Sequence, residues 1–255
     1  MKKRILKILA VILIIIVCSA GFIVYSQWDN IQAVAYYTKY SNDEISTMIT
    51  ENDQKVSKAV EKLPDITIHE LTADEKEALK TGALSQEDTV NIILGKSVLV
   101  KEGENYTVVA NETSDNSVEE NSTDEIEAAK QRVAENIAQI YVYKEQYSNE
   151  LDSILKSAME EYKSLPSGER NSKSKEDIAF KYLDVALNLE KECDANMEAI
   201  IKEISSDLKI YGGDKSVVDD IKEVYENEKS LKKAYYLSIY NWFFKSRFYC
   251  SFSVF

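Results

Sequence analysis

The chain has 255 residues, with 44 acidic side chains against 31 basic ones, a net charge of −13 and a mean hydropathy of −0.33. All 44 acids fall between Asp29 and Glu228, together with only 22 of the basic residues, so this region repels polyanions. Nucleic-acid binding needs clustered Lys and Arg that displace counterions from phosphates, and between Asp29 and Glu228 the sequence offers no such cluster; that class is set aside.

The first predicted element is an apolar run. Ile8 to Tyr25 carries no charge, and about 20 apolar residues at about 1.5 Å rise each cross the hydrocarbon core of a bilayer. Cys18, Ser19, Ala20 and Gly21 mimic a leader cleavage site, yet Phe22, Ile23 and Val24 resume the apolar character. A leader's apolar stretch is shorter, about 7 to 15 residues, and ends at the small residues. Lipidation at Cys18 needs a small residue before it, where Val17 stands. The pattern predicts a retained transmembrane helix over 8–25. Lys2, Lys3, Arg4 and Lys7 lie ahead of it, which by the positive-inside rule keeps residues 1–7 in the cytoplasm and puts the bulk of the chain outside. Tyr25 and Trp28 suit the aromatic belt at the headgroup layer. A tail this short is too small to bury a core or to hold a cytoplasmic effector.

Gly occurs 7 times and Pro twice, far below the usual ~7% and ~5%, so long uninterrupted helices are expected. Residues 26–110 read as a membrane-proximal helical region with a small β-hairpin. Ser41 and Glu44 form a capping box, in which each side chain satisfies an orphan amide of the other's backbone, and the helix is expected to reach Leu63, before Pro64. Thr72 and Glu75 form a second box, Gly82 suits a left-handed C-cap, and Ser85 opens a short helix closed by Gly95. The apolar residues of this helical hairpin, among them Leu71, Leu79, Leu84, Val90 and Ile93, are too few for a core of their own, so it is expected to pack on a neighbour. Two β-branched runs flank Gly103 in "SVLVKEGENYTVVA", which predicts the β-hairpin.

Residues 111–123 are acidic, polar and without periodicity, the composition of a disordered linker. Asn105, Asn111 and Asn121 open N-x-S/T sequences, which accept glycans only in a eukaryotic secretory route.

Residues 124–240 read as an antiparallel three-helix bundle or a coiled-coil-like region. In the first helix Ile126, Val133, Ile140, Tyr147 and Ile154 recur every seven residues, with Ile137, Leu151, Ala158 and Leu165 on the second line of the seam. Pro166 and Gly168 break it. The second helix carries Tyr182, Ala186, Leu189, Cys193, Met197, Ile200, Ile204 and Leu208 and ends at Gly212 and Gly213. The third runs from Ser216 with Val217, Ile221, Val224, Leu231 and Tyr235 on one face. Residues 241–255, "NWFFKSRFYCSFSVF", form an aromatic tail without an acid. The fold class is mainly α.

Chemistry-bearing patterns are scarce. Cys18, Cys193 and Cys250 form no CxxC pair or metal-ligand spacing, and Cys193 reads as a buried helical residue or as one half of a disulfide across a dimer. His69 has no neighbouring Cys or His with which to hold a metal and reads as a solvent-facing or capping residue. The sequence has no G-x-S-x-G elbow, phosphate-binding glycine loop or H-E-x-x-H helix, and adjacent carboxylates such as Glu160 and Glu161 do not share a helix face. No catalytic residue, metal site or cofactor is predicted. One cluster stands apart: Lys229, Lys232 and Lys233 beside Tyr235, Tyr236 and Tyr240 could meet polyanionic wall polymers or lipid headgroups, or could simply complement the helix dipole over core tyrosines.

The passages "LEKECDANMEAI" and "VYENEKSLKKAYYLSIY", with the anchor and the capped hairpin, resemble uncharacterised single-span membrane-anchored helical proteins of Gram-positive bacteria. The resemblance spans most of residues 1–240 and implies an envelope location; it transfers no catalytic residue. The expected function is that of a non-enzymatic interaction or scaffold component of the cell envelope, associating with itself or with another envelope protein. The alternatives are a cell-wall-associated enzyme or regulator, or a ligand-sensing ectodomain.

Overall fold

The computed structural model describes residues 28–103, 105–111 and 123–245, with side chains omitted at 28, 29, 123 and 240–245. The expected anchor over 8–25, the tail over 1–7, residues 112–122 and residues 246–255 lie outside the described residues. Among the described residues no helix is long and apolar enough to cross a membrane.

The described chain is mainly helical, with a small two-stranded antiparallel sheet. In chain order it forms α1 (Trp28–Lys39), α2 (Asn42–Val60), α3 (Ala73–Thr81), α4 (Gln86–Ile93), β1 (Ser97–Glu102), β2 (Asn105–Ala110), α5 (Thr123–Ser164), α6 (Ser172–Tyr211) and α7 (Ser216–Lys245). Its described residues divide into two compact units, one of those up to Val56 together with those from Lys222 onward, the other of those between Ser57 and Ile221. The boundary at Lys222 falls inside the third of the helices read together over 124–240.

In the first unit, α1, α2 and α7 share an apolar cluster. Ala33, Ile45, Leu231 and Ala234 are buried at its centre, and Tyr36, Tyr37, Tyr40, Met48, Ile49 and Tyr235 pack around them. The start of α2 is fixed by the expected capping box: Ser41 N–H donates to Glu44 Oε2 at 2.8 Å, and Glu44 N–H to Ser41 Oγ at 3.3 Å.

In the second unit, Thr72 and Glu75 close a full capping box, Gly82 takes the left-handed C-cap, and Ser85 caps α4. The α3–α4 hairpin does pack on a neighbour: Leu79 and Ile93 are buried against Ala138 and Val142 of α5, while its other side, with Ala78, Leu84 and Ile92, meets Leu99, Tyr106 and Val108 of the β-hairpin. β1 and β2 pair antiparallel from Ser97↔Ala110 to Glu102↔Asn105, turning at Gly103. The helix expected to reach Leu63 ends at Val60, and tighter turn bonds, such as Leu63 N–H to Val60 O at 2.8 Å, carry the chain on.

The two longest helices form an antiparallel hairpin. Arg132 meets Asp207, Tyr147 meets Asn196, and Glu161 meets Lys181 and Tyr182, so the two strands of contacts run in opposite directions. Val133, Ile137 and Ile140 of the heptad seam are buried, as are Met197, Ile200, Ile204 and Leu208 opposite. Ile126, expected in the seam, is 43% exposed: in the register set by Arg132 and Asp207 it lies beyond Tyr211, where α6 ends. At the far end, Arg170 closes the loop by donating to the carbonyls of Leu165 at 2.8 Å and Lys163 at 2.6 Å, satisfying two orphan acceptors of α5. Asn171 then caps α6.

Asn111, assigned to the linker from its sequence, is held at the end of the β-hairpin. Its N–H donates to Lys96 O at 2.9 Å and its side chain to Gly95 O at 2.8 Å.

Candidate functional site

The basic and aromatic cluster on α7 belongs to the first unit, and the structure ties much of it into the packing there. Lys229 sits 3.3 Å from Glu226 Oε2, one turn earlier, and over the ring of Tyr225 at 5.3 Å. Lys233 Nζ donates to Asn30 Oδ1 on α1 at 3.0 Å. Tyr235 packs on the apolar cluster, and its ring meets Tyr236 edge-on at 5.6 Å. Lys232 is half-buried, and the Tyr240 side chain lies outside the described residues. Five of the six residues thus stand on consecutive turns of one helix, with Lys233 bonded across to α1.

The same three helices, α1, α2 and α7, are joined by a chain of polar contacts that periodicity does not show. Tyr36 OH donates to Asn227 Oδ1 at 3.0 Å, Asn227 Nδ2 to Asn52 Oδ1 at 2.8 Å, and Asn52 Nδ2 to Val224 O at 3.0 Å. Ser230, fully buried, donates to Gln32 Oε1 at 3.1 Å. Buried amides in helices cost several kcal/mol unless paired, so each of these contacts fixes one helix relative to another within the unit.

The second candidate surface is on the α5–α6 hairpin. Contacts from the α3–α4 side meet α5 between Glu135, paired with Lys96 at 3.1 Å, and Gln146, which accepts from Gln86 at 3.1 Å. Beyond Gln146 α5 continues to Ser164, about 27 Å at 1.5 Å per residue. In this half the seam is held by Asn196 Nδ2, which donates to the Tyr147 hydroxyl at 2.7 Å. Desolvation pushes the Tyr147 phenol up to about 12, the Asn196 bond acting against it. Glu161 accepts from Lys181 at 2.6 Å and from Tyr182 OH at 2.8 Å, and these bonds hold its carboxyl below the usual range.

A second apolar line on α6 faces away from this seam. Phe180 is 59% exposed, Leu183 50% and Leu187 40%, and their spacing of three and four residues puts them on one side of the helix. A helix in a two-helix hairpin can bury one stripe against its partner; a second stripe stays in solvent. The signal lies in the sequence "DIAFKYLDVALNLE", which has more apolar positions than one seam can use; heptad spacing alone does not separate the two stripes.

Cys193 is half-buried on α6. His69 is exposed and its ring lies over Gly95. Among the described residues, no group of three His, Cys, Asp or Glu side chains is placed to hold a metal ion. No protein-family model, curated protein or solved structure matches the chain.

Proposed function

We propose that this protein is a single-span, membrane-anchored component of the cell envelope whose extracytoplasmic helices act by binding, not by catalysis. The uncharged run from Ile8 to Tyr25, with four basic residues ahead of it, supports the anchor and its orientation. On this reading the α5–α6 hairpin is an antiparallel coiled-coil arm rooted on α3 and α4.

The observation that carries the interaction reading is the exposed line of Phe180, Leu183 and Leu187 on the half of the arm beyond the root contacts. Single exposed apolar residues are ordinary, whereas contiguous ones at helical spacing mark association surfaces. A helix lying along this line would bury all three side chains at once.

The test is photo-crosslinking in cells. A photoreactive residue at Phe180 of the full chain is expected to give a discrete higher-mass adduct. The same residue at Asn188, exposed on another side of α6, is expected to give far less. Equal diffuse labelling from both positions would remove the basis for a binding arm.

A further inference from the structure

The exposed line on α6 has charged ends of opposite sign. Glu176 lies four residues before Phe180 and Lys191 four residues after Leu187, so the order along this side is Glu176, Phe180, Leu183, Leu187, Lys191. Both charged residues are exposed. Such a sequence of groups is self-complementary under a two-fold rotation. If a second α6 lies antiparallel with the axis beside Leu183, Phe180 of each copy faces Leu187 of the other, the two Leu183 side chains meet at the centre, and Glu176 of each copy faces Lys191 of the other. A parallel arrangement would stack Glu176 on Glu176 and Lys191 on Lys191. Two-fold interfaces are made of one patch used twice and require this kind of self-matching.

We infer that the partner of the α5–α6 arm is a second copy of this chain, docked antiparallel along the Glu176–Lys191 side of α6 about a two-fold axis at Leu183. This rests on the binding role proposed for the arm and names its partner. The pairing joins two helical hairpins into a four-helix arrangement, covering apolar side chains that one hairpin leaves in solvent. Its charge pairs sit at the rim, where they set orientation more than strength.

Disulfide trapping tests it on the full chain, with Cys18, Cys193 and Cys250 replaced by Ser. Leu183→Cys is expected to form a covalent dimer under mild oxidation, because the two thiols meet at the axis. Asn188→Cys is expected to stay monomeric. In a second measurement, without disulfides, Glu176→Lys is expected to weaken the dimer several-fold at low salt by setting Lys against Lys. Adding Lys191→Glu to the same chain is expected to restore it, an outcome that a merely structural role for either residue would not produce. Either a Leu183→Cys chain that stays monomeric or a self-association indifferent to the charge swap overturns the self-pairing. If Phe180 then crosslinks to a different protein, the binding arm stands and only its partner is wrong. If it crosslinks to nothing, both fail.

Discussion

The side-chain amide of Asn227 on α7 donates to the carbonyl oxygen of Asn52 on α2 at 2.8 Å, and Asn52 in turn donates to the backbone carbonyl of Val224 at 3.0 Å. Asn52 is buried, so these bonds form only when α2 and α7 are in one register. Asn52→Ala leaves partners in the interior without their bonds and is expected to cost about 1 to 3 kcal/mol. Replacing both amides, Asn52→Leu with Asn227→Leu, is expected to recover most of that stability while admitting alternative registers, the specificity role documented for single buried amides in coiled coils. Chemical denaturation gives the first result. Broadened amide resonances of α2 and α7 in the double variant would give the second, and sharp native-like spectra would count against the register role.

Ile140 is buried where the α5–α6 hairpin is fully two-sided, whereas Ile126 is exposed past the end of α6. Ile140→Ala is expected to lose about 2 to 5 kcal/mol through lost transfer and a cavity, and Ile126→Ala to change stability by no more than about 0.5 kcal/mol. Thermal melts of the full chain separate them. Similar losses at the two positions would mean that the seam reaches further than the structure has it.

Gly95 adopts φ of +70°, and a Cβ placed there would come within 2.9 Å of His69 Nε2. The left-handed conformation alone costs a non-glycine residue about 1 to 2 kcal/mol. Gly95→Ala is therefore expected to destabilise by at least that amount, and adding His69→Ala to remove only the steric part. A Gly95→Ala chain as stable as the parent would contradict the close approach.

These residues also show what could be read from the sequence. Ser41 with Glu44 and Thr72 with Glu75 were legible because a capping box is complete within four residues, and the centre of the seam because heptads repeat. The pairing of Tyr36 with Asn227 spans 191 residues, and no local pattern tells α7 to share its core with α1 and α2. Nothing in the local sequence marks Asn52 or Asn227 as a bonded interior residue, since a polar residue in a helix carries no sign of the partner that satisfies it. Ile126 failed for a related reason: its burial depends on where a different helix stops. The basic cluster on α7 was legible as a cluster, but the bond from Lys233 to Asn30 was not.

Glu161 links α5 to Lys181 and Tyr182 of α6, and its carboxyl lies below its ordinary value of 4.5. A carboxylate whose folded value is lowered stabilises the fold fully above the unfolded value, and that contribution is lost as pH falls through the lowered one. The far half of the hairpin is thus expected to loosen as pH drops below about 4.5. Glu161→Gln should be less stable than the parent at neutral pH and should lose less on acidification between about pH 6 and pH 3. Parallel acid titrations of the two chains by circular dichroism would show it; superimposable curves would argue that Glu161 contributes nothing to the hairpin.

Side-specific cysteine labelling tests directly whether an anchored chain presents the α5–α6 arm outside the membrane. The full chain, with its three native cysteines replaced by Ser and Asn188→Cys as the single thiol, is expressed in cells and treated with a membrane-impermeant maleimide before lysis. The prediction is a labelled protein that stays in the membrane fraction with its amino terminus intact by mass. Labelling only after lysis, or a labelled protein lacking residues 1–25, would contradict it.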